Sequence, residues 1–102
     1  MKIIDIGHVY EVQNFESDTT QTINFVKKEP VSEGSTELKT VLVGTTNEEV
    51  IAILINRLQT LNSRFPSREN SVAITKLEES LMWLNKRTAE RKERGVEGKQ
   101  IK

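Results

Sequence analysis

Phe65–Gly98, FPSRENSVAITKLEESLMWLNKRTAERKERGVEG, reads as one long helix that begins at a corner and ends among arginines. Proline presets φ and disfavours helix in the residue before it, so Phe65 is expected to lie outside the helix. Ser67 can cap the first turn, with Asn70 three residues on in a capping-box position. Gly95 suits the left-handed position after a helix, and basic residues crowd the last turns, where cations complement the dipole. No Gly or Pro interrupts the interval. The predicted helix is about Arg68–Arg94, roughly 40 Å long at 1.5 Å per residue. At 100° per residue Ala73, Ile74, Leu77, Leu81 and Leu84 form a core-facing stripe that Asn70 and Thr88 extend at either end. Val72 and Trp83 fall nearly opposite it. They are either scattered surface residues or a second contact surface.

Upstream, GTTNEEV announces another helix, with Thr46 and Glu49 in capping-box spacing and acidic residues in the first turn. This helix is expected over about Asn47–Arg64. Val50, Ile51, Ile53, Leu54, Ile55, Leu58 and Leu61 spread over roughly 200° of its circumference, more than the ~100° one partner needs. The corner Phe65–Ser67 is short, so the two helices should form an antiparallel hairpin. The second helix would then overhang the first by about nine residues, Lys86–Arg94, or roughly 13 Å.

The first part of the chain is strand-like. Lys2–Ile6 and Val9–Phe15 flank Gly7-His8; Thr20–Lys28 and Leu38–Val43 follow; Glu29–Glu37 reads as a breaker-rich loop. The expected fold is α+β: a small antiparallel sheet within residues 1–43, one face covered by helix, then the hairpin within 46–95 and a basic tail over 96–102. At 102 residues this is expected to be a single domain. Hydrophobic content of 35% against 29% charged residues provides little core per residue, which points to an oligomer.

Cysteine is absent, which excludes disulfides and thiolate-ligated metal and suits a cytosolic setting. No apolar run is long enough to span a membrane, and MKIIDIGHVYEV does not read as a signal peptide. Net charge is zero, but seven basic and three acidic residues lie from Lys86 onward. A basic end on a neutral chain suggests a local anion site more than a nucleic-acid coat. His8 has no Ser, Cys or Asp arrangement that completes a triad, and no GxGxxG or GxxxxGK[ST] motif occurs. An enzyme is therefore not expected, nor a cofactor or metal. Arg87 and Arg91, spaced i, i+4, can converge on one anion, and arginine matches phosphate oxygens bidentately. Glu90 and Lys92 beside them equally allow salt-bridge lacing along the helix.

FPSRENSVAIT, LEESLMWLNKRT and ERKERGVEG closely resemble the signature of the first-described phage Thoeris anti-defence family. DIGHVYEVQNFES, QTINFVKKE and GTTNEEVIAILINRLQTLN fit it as well, so the likeness covers nearly the whole chain. In TKLEESLMWLNKR the hairpin also resembles that of the second anti-CBASS sponge family, which holds cyclic di- and trinucleotides. The resemblance implies a sponge acting in the host bacterial cytoplasm, which captures cyclic ADP-ribose isomers between two subunits without turnover. Some members are hexamers (trimers of dimers) that also hold cyclic oligonucleotides at separate sites. Dimer and hexamer both stay open for this chain, as does the place of any such second site. Carried over by position, Asn70, Arg87 and Arg91 are the implied ligand contacts, with Arg68 and Thr60 beside them. The family can place an aromatic where this chain has Thr60, so base stacking at that spot is not implied. Two other readings compete: a nucleic-acid binder using the basic tail, and an assembly or regulatory subunit whose hairpin only oligomerises.

Overall fold

The computed structural model describes residues 1–95 and residue 99. Five strands are followed by two helices: β1 (Lys2–Asp5), β2 (Val9–Gln13), β3 (Thr20–Asn24), β4 (Lys27–Pro30), β5 (Leu38–Leu42), α1 (Asn47–Arg64) and α2 (Arg68–Glu93). This is the expected α+β order of antiparallel strands and then helices. The chain divides into two compact units, Met1–Thr46 with the residues around Lys99, and Asn47–Glu97. The predicted basic tail lies outside the described residues except for Lys99, which bridges to Glu37.

In the first unit, β1, β2 and β3 form an antiparallel sheet in that order, and β4 pairs with β5 in a second one. Register explains the alternation of residue types. Ile3, Tyr10 and Ile23 stand in one row across the three strands, while Lys2, Glu11 and Thr22 stand in the next. Successive rows point to opposite faces, so these two rows set an apolar stripe on one face against a polar stripe on the other. Phe25 meets Tyr10 edge to face, with ring centroids 5.9 Å apart. Lys27 Nζ pairs with Asp5 at 3.0 Å.

The predicted continuous strand Thr20–Lys28 is broken in two, and strand structure runs on to Pro30, into the expected loop. The break has a visible cause. Gly44 and Thr45 cross over Asn24–Val26: Thr45 N–H donates to Asn24 O at 2.8 Å, and Val26 N–H donates to Thr45 O at 2.9 Å. A Cβ on Gly44 would lie 2.5 Å from Asn24 O, 2.5 Å from Phe25 C and 2.7 Å from Val26 N. Only glycine permits this approach.

The second unit is the helical hairpin. Both helices match their predicted spans to within a residue, and they pack against each other. Ser67 is the N-cap of α2, its hydroxyl accepting from Asn70 N–H at 3.0 Å. The reciprocal half of the predicted capping box does not come from Asn70. Asn62, on α1, reaches across the corner and accepts from Ser67 N–H at 2.9 Å, while its Nδ2 donates to Ser71 Oγ at 3.2 Å. One amide thus ties the end of α1 to the start of α2. At the other end Gly95 has φ +71°, the left-handed stop that was expected.

Ala73, Ile74, Leu77, Leu81 and Leu84 are half-buried, as are Asn70 and Thr88 on the same line. On α1, Ile51, Ile55 and Leu58 are half-buried, whereas Ile53, Leu54 and Leu61 are exposed. Among the described residues no side chain is fully buried.

Candidate functional site

The carried-over residues fall into two groups within the hairpin unit. Thr60, Arg68 and Asn70 flank the corner, while Arg87 and Arg91 lie near the far end of α2. Since α2 is one uninterrupted helix, the 17 and 21 residues from Asn70 to the two arginines correspond to about 26–32 Å. A single chain therefore does not bring the five together.

At the far end, the length difference between the helices decides the geometry. With 18 residues in α1 and 26 in α2, α2 extends about eight residues, or roughly 12 Å, past the start of α1. Arg87 and Arg91 fall in this extension, one turn apart. Arg87 is exposed, but Arg91 is half-buried, so packing in the extension involves Arg91 more than Arg87. Such a pair can offer two planar guanidinium forks to one phosphate-bearing ligand.

At the corner, Thr60 lines a groove of about 680 Å³ along α1 with Asn56, Arg57, Leu61 and Arg64. Thr60 Oγ1 donates to Asn56 O at 2.9 Å, so its proton is held by its own helix, and its oxygen lone pairs and methyl group are left to offer a ligand. Arg57 and Arg64 escaped the sequence reading. Their spacing from Thr60, three residues before and four after, was the available signal, because it places all three on one stripe. A second, smaller groove of about 340 Å³ runs along α2 and includes Arg68, Ser71, Val72 and Lys76. The Asn70 side chain carries no part of the helix cap, which Ser67 and Asn62 complete between them.

Elsewhere the chemistry is sparse. The buried Nδ1 of His8 has no hydrogen-bond partner among the described residues. Among the described residues no cluster of three or more His, Cys, Asp or Glu is placed to hold a metal ion. No helix among them is long and apolar enough to cross a membrane.

The chain is similar to Thoeris anti-defense 1 from Bacillus phage SBSphiJ7, with 68% identity over 56 residues. That match takes in 54% of this chain and 39% of the relative, so well under half of the relative's length is represented. The profile described as Acb2/Tad1, hairpin domain, matches residues 18–89, which include Thr60, Arg68, Asn70 and Arg87; Arg91 lies two residues beyond. With most of its length inside that match, the chain belongs to the Acb2/Tad1 hairpin-domain family.

Proposed function

We propose that this protein acts in phage anti-defence as a sponge, binding cyclic ADP-ribose isomers and holding them without turnover. The observation that carries the reading is the arginine pair Arg87 and Arg91, one turn apart on the part of α2 that outruns α1, in a chain of this family. The relative named Thoeris anti-defense 1 supports the anti-defence role. Arg87 and Arg91 take the ligand phosphates, while Asn70, Arg68 and Thr60 bound the rest of the ligand from the corner of a neighbouring copy. Arg57 and Arg64 add positive charge beside Thr60.

The two groups can share a ligand only across a subunit boundary. A cyclic ADP-ribose isomer is on the order of 10 Å across, the modest scale of ordinary ligand pockets. It cannot touch both ends of one α2. Two hairpins packed antiparallel bring the corner of one to the arginines of the other, and a two-fold axis repeats the pocket twice. The half-buried and exposed apolar residues of the hairpin support such an assembly, at work in the host cytoplasm.

The test is to incubate the protein with cyclic ADP-ribose isomers and cyclic di- and trinucleotides, remove unbound material, denature, and identify what is released. Recovery of an intact cyclic ADP-ribose isomer is expected. Recovery of a changed molecule would make the protein an enzyme. Retention of none, with salt-sensitive DNA binding instead, would favour the nucleic-acid reading.

A further inference from the structure

Phe65 is 80% exposed, the most open of the large apolar side chains described in the hairpin unit. The corner it occupies is closed without its ring. Ser67 Oγ accepts from Asn70 N–H, and Asn62 holds Ser67 N–H and Ser71 Oγ. The backbone of Phe65, by contrast, is fixed from both sides. Its N–H donates to Leu61 O at 3.0 Å, which carries the hydrogen bonding of α1 one residue past Arg64. Pro66 then restricts the conformation of the residue before it. A large ring thus stands in water on an ordered backbone, and a ligand that covers it meets little further ordering cost.

The surroundings decide what can cover it. Arg64 ends α1 and lines the larger groove with Arg57 and Leu61, while Arg68 begins α2 and lines the smaller groove. Phe65 lies between these two arginines in the chain, one helical turn past Leu61. From Val50 to Arg68 there are three arginines and no acidic residue. An inorganic anion would satisfy the guanidinium groups and leave the ring wet. An aliphatic side chain would cover the ring and leave the charges unanswered. A nucleotide does both, because a flat base and a phosphate belong to one molecule.

We propose that Phe65 is the base platform of the ligand site, the surface on which the purine of the bound nucleotide stacks. The phosphates go to arginine, and the base is held by a ring that no capping or packing role claims. Stacking on an aromatic face suits any base, and neighbouring arginines add cation–π attraction to it. The platform rests on the proposed function for the kind of nucleotide, and it adds to that function an apolar contact on a corner otherwise supplied with polar and cationic ones.

Phe65→Ala, Phe65→Tyr and Phe65→Trp are titrated by calorimetry with a cyclic ADP-ribose isomer. Phe65→Ala should weaken binding about fivefold to a hundredfold, the range for loss of one base–aromatic stack. Its melting temperature and oligomer mass should stay those of the wild type, since the ring is exposed. Phe65→Tyr and Phe65→Trp retain a ring and should bind about as well as the wild type. On titration the fluorescence of Phe65→Trp should be quenched more than that of the wild type, whose one tryptophan is Trp83. Unchanged affinity in Phe65→Ala overturns the platform. So does a loss accompanied by a changed oligomer mass, because the ring then serves assembly, and so does an equal loss in Phe65→Tyr. Wild-type protein that binds no cyclic ADP-ribose isomer removes the sponge reading for that ligand. The same four proteins are then titrated with cyclic di- and triadenylate: affinity that falls in Phe65→Ala retains the platform, and binding of neither overturns it.

Discussion

Arg87 and Arg91 share a turn of helix but not an environment, and substitutions should separate them. Arg87→Ala removes an exposed guanidinium and should leave the melting temperature unchanged. Arg91→Ala also strips part of a half-buried stem, so a small loss of stability is expected beside its binding defect. Each should weaken binding of a cyclic ADP-ribose isomer by about 1.5–3 kcal/mol, roughly ten- to a hundredfold, as for loss of a charged hydrogen bond. Titration calorimetry showing unchanged affinity in both variants would return the pair to salt-bridge lacing with Glu90 and its neighbours. Gly44 is the other decisive residue. Gly44→Ala would set a methyl group against three backbone atoms at 2.5–2.7 Å, and none of them is a flexible side-chain end that could swing aside. A cost of about 1–3 kcal/mol is expected, read as a lower urea midpoint.

At the scale of the elements, the corner between α1 and α2 is tied by Asn62. Asn62→Ala would leave Ser67 N–H without its acceptor and Ser71 Oγ without its donor, costing about 1–2 kcal/mol. Thermal melts of the variant beside Ser67→Ala would show whether the two halves of the cap are comparable. These elements also show what was legible in the sequence. Both helices could be read because their signals are local: Pro66-Ser67 at one end, Gly95 at the other, and a 3.6-residue apolar period between. Asn62 could not, since the local capping rule looks three residues forward to Asn70 and the true partner sits five residues back on another helix. The break at Val26 was hidden for a similar reason. Nothing near Thr20–Lys28 signals that Gly44 will cross it. For the site, the i, i+4 spacing pointed to Arg87 and Arg91 and the resemblance added Asn70, Arg68 and Thr60, whereas the grouping of Thr60 with Arg57 and Arg64 was noticed only in the groove along α1.

For the whole molecule, the expected pocket is a property of two chains, and subunit mixing can reveal it. Asn70→Ala and Arg91→Ala proteins should each bind poorly alone. A mixed dimer holds one intact pocket and one doubly damaged pocket, so about half of its sites should recover tight binding. Confirmed exchange with no recovery would remove the shared pocket. The crossing at Gly44–Thr45 has a further consequence, in time. The hairpin joins its helices through a three-residue corner, and helical structure of this kind forms in microseconds to milliseconds. The first unit cannot close until Thr45 has returned to Asn24 and Val26 across some twenty residues of intervening chain, a slower search that pays loop entropy first. Refolding followed by stopped flow should therefore resolve two phases, helical signal first and strand closure after. Gly44→Ala should slow the second and leave the first alone.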